Sequence, residues 1–169
     1  MTKTAAAASL ALAACAASAH VPRRSSRVYV QKLVAPPEQV LPLLTPLGEK
    51  AWAGGWEPVM LRDEPGFAGS VFATSHHGPP ETIWVMERYD PEGRAVRYTR
   101  VKPGSDVCEI DIVLAPTASG CDATVRYTWT SLGPAGDAVI DKFDEAHYLH
   151  FMTEWEQELN HYLKTGQKR

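Results

Sequence analysis

Cysteine is scarce in this chain: three in 169 residues, at Cys15, Cys108 and Cys121. That number excludes a disulfide scaffold. Charge of one sign is lacking too, since 17 Lys and Arg stand against 20 Asp and Glu for a formal net charge of −3. The cations are scattered apart from Arg23, Arg24 and Arg27, so a surface for nucleic acid or an anionic membrane has no electrostatic basis. Beyond residues 1–19 no stretch approaches the roughly 20 apolar residues of a membrane-spanning helix. The G-x-S-x-G elbow, the P-loop and the dinucleotide fingerprint are absent. What is present is ordinary for a globular domain: 44% hydrophobic residues, 22% charged, and a length that supports one sizeable core.

Acid is missing altogether before Glu38. Residues 1–19 read as a signal or targeting segment: Lys3 is a short basic start, Ala5 to Ala17 an Ala/Leu stretch, and Ala17-Ser18-Ala19 a small-residue cleavage site. Within it, Leu12-Ala13-Ala14-Cys15 spells a bacterial lipobox, which would acylate Cys15 and give a lipid anchor. Export, periplasmic or secreted, is the expectation in preference to a cytoplasmic location. The modest hydrophobicity of an Ala-rich stretch and the cations beyond it argue the other way. An organelle transit peptide or a misassigned start would share this composition.

From Arg27 the pattern is that of strands. Arg27 to Val34 alternates, with Val28, Val30 and Lys32 on one side and Tyr29, Gln31 and Leu33 on the other. Ala35-Pro36-Pro37 ends this run, and Pro37 with Glu38 suits the opening turn of a short helix bearing Val40, Leu43 and Leu44. A second helical turn is expected at Glu49-Lys50-Ala51-Trp52, before Gly54-Gly55. Extended segments follow at 56–61, 67–75, 81–89, 95–102, 106–115 and 121–132. The turns between them are well marked, among them His77-Gly78-Pro79-Pro80, Asp90-Pro91-Glu92-Gly93 and Thr117-Ala118-Ser119-Gly120. Such short links favour antiparallel neighbours.

At Asp137 the period changes. Val139, Phe143, Ala146, Leu149, Met152, Trp155, Leu159 and Leu163 recur every three or four residues, with Asp141, Glu145, Glu154, Glu158 and His161 opposite. Gly136-Asp137 and Gly166 bound a single expected helix of roughly 40 Å. The order predicts an α+β domain over residues 27–165. A curved antiparallel sheet of about seven strands wraps a long C-terminal helix, with two short helices after the first strand. On that sheet Cys108 and Cys121 fall out of register for a disulfide and read as buried apolar residues.

Particular residues sharpen this reading. Ala35-Pro36-Pro37-Glu38-Gln39-Val40 opens the first helix; Pro46-Leu47-Gly48-Glu49-Lys50-Ala51-Trp52 and Gly55-Trp56-Glu57-Pro58 follow. Thr82-Ile83-Trp84-Val85, Val125-Arg126-Tyr127-Thr128-Trp129-Thr130 and the Trp155, Leu159, Tyr162-Leu163 helix complete the series. In these the chain resembles the START-like, helix-grip superfamily of polyketide cyclases and lipid-transport proteins (SRPBCC) over essentially residues 27–165. The resemblance implies a cavity between sheet and terminal helix, its mouth near the short helices. It implies no single activity, because the superfamily spans lipid carriers, hormone receptors, cyclases and co-chaperones.

Strand alternation places Thr82, Trp84 and Met86 on one inward face, Tyr98 and Arg100 on the next, then Ile110 and Ile112, then Tyr127 and Trp129. With Phe72 and Phe151 these form an aromatic lining that serves equally as packed core or as an apolar pocket with a few orienting hydrogen bonds. Trp52 and Trp56 flank Gly54-Gly55 and are placed to gate the mouth. Arg100, if inward, needs Glu87, Glu109 or a ligand carboxylate as partner. His147, His150 and Glu154 have a spacing that can converge on a cation, with His76-His77 as a further donor. They fall on the polar helix face, and no metal or other cofactor is assigned.

Neither cysteine has a basic neighbour, and no catalytic residue is assigned. The reading is a monomer or weak dimer that binds or carries a small hydrophobic ligand: a lipid, an isoprenoid or a polyketide-like molecule. Two alternatives stand beside it. One is a cyclase/aromatase or hydratase in which Arg100 polarises a carbonyl and Tyr98 or a histidine moves a proton. The other is a co-chaperone-like interaction module.

Overall fold

Alternation in the first strand survives intact. The computed structural model describes residues 20–75 and 82–169, and in it β1 (Arg24–Leu33) buries Gln31 and Leu33 while Val28 and Val30 face outward. Pro36 and Pro37 halt the strand. Pro37 occupies the first position of α1 (Pro37–Val40), where its missing N–H costs nothing. A 3-10 turn at Leu41–Leu44 follows, burying Leu41 and Leu44. The next helical turn, α2, is Pro46–Glu49, earlier than the expected Glu49-to-Trp52 turn. Thr45 decides this: its hydroxyl accepts from the Gly48 N–H at 3.0 Å and Pro46 supplies the first helical residue. At Gly48 a Cβ would sit 2.1 Å from the Pro42 carbonyl, so only glycine lets these two turns approach.

The sheet has seven strands in the order β1-β7-β6-β5-β4-β3-β2, every pair antiparallel. Besides β1 these are β2 (Val59–Arg62), β3 (Val71–Thr74), β4 (Thr82–Asp90), β5 (Ala95–Lys102), β6 (Asp106–Thr117) and β7 (Gly120–Ser131). The first strand thus returns beside the last, and the rest is a meander of short turns. In β4 the register shifts between Met86 and Arg88. The irregularity reverses the alternation, so Arg88 faces solvent and Tyr89 turns toward Phe67, ring centroids 5.0 Å apart.

The terminal helix is where the expectation needs correcting. It is broken into α3 (Pro134–Lys142) and α4 (Glu145–Thr165). Phe143 leaves helical geometry, and the Asp144 carboxylate accepts from the His147 N–H at 2.8 Å, capping a new helix. At 21 residues α4 is about 31 Å long, not 40 Å. The restart also rotates the face: Leu149 is 51% exposed, and Tyr148, at 2%, takes its place in the core. Gly166 ends the helix in the left-handed conformation, as expected.

Polar ties fix α4 against β1 and β7. The Gln31 amide donates to the Met152 carbonyl at 3.3 Å, Tyr148 donates to Val125 at 3.0 Å, and Asn160 bonds both Lys32 and Val34. Between them Met152 and Leu159 are fully buried. Each stabilises the packing by roughly 1.5–3 kcal/mol. Cys108 and Cys121 are buried and unpaired. The targeting segment, the Cys15 anchor and His76-His77 lie outside the described residues. Among the described residues no helix is long and apolar enough to cross a membrane.

Candidate functional site

A cavity of about 330 Å³ lies between the concave face of the sheet, α4 and the segment after α2. Its sheet wall is two neighbouring rungs of the strand ladder. Along one rung Phe72 pairs with Trp84, Trp84 with Arg100, Arg100 with Cys108, and Cys108 with Trp129. Along the other Met86 pairs with Tyr98, Tyr98 with Ile110, and Ile110 with Tyr127. Residues so aligned share one face, which is why alternation alone collected them. Phe72 and Trp84 stack at 5.6 Å, and Trp56 and Tyr98 meet both rings edge-on.

Of the ligand-binding candidates, Trp56, Phe72, Thr82, Trp84, Tyr98 and Arg100 line the cavity, as do Ile110, Ile112, Tyr127, Trp129 and Phe151. Trp52 and Met86 do not. Trp52 is 1% exposed, donates its indole N–H to Leu43 at 2.8 Å and packs on Trp155, so it braces the wall and is no gate. Met86 is pinned into the core beside the β4 irregularity, where its backbone bonds to Gly69 and Ser70.

Several of the polar groups at the wall are already engaged. Tyr98 donates its hydroxyl to the Leu44 carbonyl, so it has no proton to hand to a ligand. The Trp84 indole donates to Thr74 at 2.9 Å and the Trp56 indole to Pro46 at 2.8 Å. Arg100 does face inward, but its partner is neither Glu87 nor Glu109. It pairs with the wholly buried Asp106, which also accepts from Ser105. Glu87 instead accepts from Thr99, and Glu109 binds Arg24 at 2.8 Å. The Nε of Arg100 has no partner among the described residues, and its guanidinium lies 6.0 Å from the centroid of the Trp84 ring.

Sequence reasoning missed the most unusual residue. Glu49, at the end of α2, is 7% exposed and lines the cavity with no hydrogen bond or ion pair to its carboxyl among the described residues. Burial pushes that carboxyl well above its ordinary range and favours the neutral acid. Nothing in the local sequence marks it, because a glutamate between Gly48 and Lys50 on one helical turn reads as surface. Phe143 and Trp155 also line the cavity. Glu154 and Glu158 of α4 do so too, where the helical period had assigned them to the face opposite the apolar stripe. Burial likewise raises the Tyr127 hydroxyl and pushes Cys108 up to about 12, leaving the thiol unreactive near neutral pH.

The histidine candidates disperse. His150 meets Glu154 at 3.4 Å on the exposed face, while His147 packs on the Phe143 ring at 4.7 Å. Among the described residues no three His, Cys, Asp or Glu side chains converge as a cation site.

Comparison with known proteins agrees with the architecture. The profile of the family described as polyketide cyclase / dehydrase and lipid transport matches residues 26–148. A protein of Mesorhizobium loti superposes with a TM-score of 0.58 at 18% identity, covering 81% of this chain and 98% of its own. Ara h 8.0201 gives 0.60 at 14% identity, with 85% and 99% covered. Norcoclaurine synthase from Thalictrum flavum gives 0.59 at 12% identity, with 98% and 99% covered. At these identities the likeness concerns the fold alone. No curated protein matches the chain.

Proposed function

We propose that this chain, which belongs to the polyketide cyclase / dehydrase and lipid transport family, binds a small hydrophobic molecule between its sheet and α4. The observation that carries this reading is an unfilled cavity of about 330 Å³ with an aromatic wall whose Trp56 and Trp84 indoles and Tyr98 hydroxyl are already satisfied. Apolar burial supplies the affinity, and the few unengaged polar groups orient the guest. The volume sits near the lower end of the roughly 300–1,000 Å³ of ligand pockets. It suits a compact ring system or a short isoprenoid and is too small for a diacyl lipid.

The binding unit is residues 27–165, and export with removal or acylation of the preceding segment is the proposal for the rest. Intact mass of the protein from its native host tests the latter. For binding, native mass spectrometry of gently purified protein is expected to show an adduct of a few hundred daltons that organic extraction removes. Phe151→Trp, which narrows the cavity, is expected to weaken the adduct while the protein stays folded. Absence of any adduct, with no thermal shift across a broad panel of apolar compounds, would overturn the reading.

A further inference from the structure

The cavity's polar groups divide into those the protein has used and those it has not. Those without a protein hydrogen-bond partner among the described residues are the Arg100 Nε, the Tyr127 hydroxyl, the Trp129 and Trp155 indoles, the half-buried Thr82 and Glu158 side chains, and the Glu49 carboxyl. Guanidinium N–H is a donor only, and a phenol hydroxyl donates readily. The Glu49 carboxyl would be an acceptor if ionised, so its surroundings decide its role.

Those surroundings oppose a negative charge. From the sheet, Tyr98 and Tyr127 face it; Arg100 lines the same cavity, but its charge is already answered by Asp106. From α4 the charged groups lining the cavity are the acids Glu154 and Glu158, and beyond the helix Lys168 donates to the carbonyl of the lining residue Ala53 at 3.4 Å. The nearest lysine in sequence, Lys50, points away to Glu57 at 2.9 Å. Among the described residues no cation pairs with the buried carboxyl, so burial shifts it toward the neutral acid. With the Arg100 Nε, the Tyr127 hydroxyl and the two indoles it adds a donor to one largely apolar space, in which Glu158 is an acceptor without a partner among the described residues.

We infer that Glu49 is a ligand-recognition residue: its protonated carboxyl donates a hydrogen bond to a carbonyl oxygen of the guest. The cavity accordingly selects uncharged ring compounds bearing a carbonyl over plain hydrocarbons and over cations. This deepens the ligand-binding reading above and rests on it. Raising the pH ionises Glu49, removes the donor and sets a carboxylate against the ligand's lone pairs. Affinity for such a guest therefore falls as pH rises, and affinity for a cation would do the reverse.

Three probes of one ring skeleton separate these outcomes: fluorenone, fluorene, and the permanently charged fluorenyltrimethylammonium ion. Each is titrated into the full chain by quenching of tryptophan fluorescence between about pH 5.5 and about pH 9. At the acid end fluorenone is expected to bind about tenfold more tightly than fluorene, the worth of one hydrogen bond to an otherwise unpaired buried donor. The ratio should shrink toward one as pH rises. Glu49→Ala should abolish the preference at every pH. Glu49→Gln, close in shape and still a donor, should keep the preference and lose its pH dependence. Equal binding of fluorenone and fluorene throughout would overturn the role of Glu49 while leaving the cavity a ligand site. A pH dependence that persists in Glu49→Gln, or tighter binding of the cation, would overturn it as well. Failure of all three to bind would overturn the ligand-binding reading itself.

Discussion

At Glu49 a single side chain links burial, protonation and stability. Its folded-state carboxyl titrates above its unfolded one, so the folded protein holds a proton that the unfolded chain has released. The stability associated with the neutral acid is complete below the unfolded value and is lost as pH rises through the folded one. Within that window the wild type should lose up to about 1.4 kcal/mol per pH unit from this group. Glu49→Gln, which cannot ionise, should match the wild type in acid and become increasingly more stable than it with rising pH. Urea midpoints across the range check the sign, and a constant difference would contradict it. Asp106 offers a second case. It is wholly buried against Arg100, and Asp106→Ala strands a guanidinium that is only 22% exposed. A loss of about 3 kcal/mol is expected, read as a lower urea midpoint with an unchanged slope.

Elements in this protein are set by their ends more than by their middles. Apolar periodicity runs through residues 137–163 without a visible gap, yet Asp144 divides it, because a carboxylate two bonds from the backbone competes for the N–H groups that would extend α3. Asp144→Ala should cost about 1 kcal/mol of stability. It should also loosen Phe143 and Phe151, which face each other at 6.0 Å beside the cavity, so ligand binding should weaken together with the melting temperature. Thr45-Pro46 acts likewise at α2. It starts the turn at Pro46, so that the turn ends at Glu49, which lines the cavity.

Across the whole molecule, the sheet and α4 hold apart around a space they do not fill. Met152 and Leu159 close the contact with β1, while Phe143, Phe151 and Trp155 stand along the open side. An unfilled cavity forfeits dispersion energy that a guest restores. Protein purified with its natural guest should accordingly melt higher than the same protein after organic extraction. At a hundredfold excess over the dissociation constant the gain is about 2.7 kcal/mol. For a domain of this size that is roughly 5–10 °C. Differential scanning calorimetry before and after extraction measures it, and identical melting curves would mean that the space is empty in the cell.

Much of this was settled by local chemistry. Alternation in β5, β6 and β7 put Tyr98, Ile110, Ile112, Tyr127 and Trp129 on one face, since a strand's period of two permits no other arrangement. Proline and glycine at the turns made the neighbours antiparallel, and the resulting rungs align with the cavity wall. Tertiary packing alone decided the rest. Whether Trp52 faced space or core depended on a hydrogen bond to Leu43, and the partner of Arg100 on a strand that turns back to bring Asp106 beside it. Above all, the state of Glu49 depends on how much water and countercharge surround it. Those are sums over groups distant along the chain, so no window of sequence contains them.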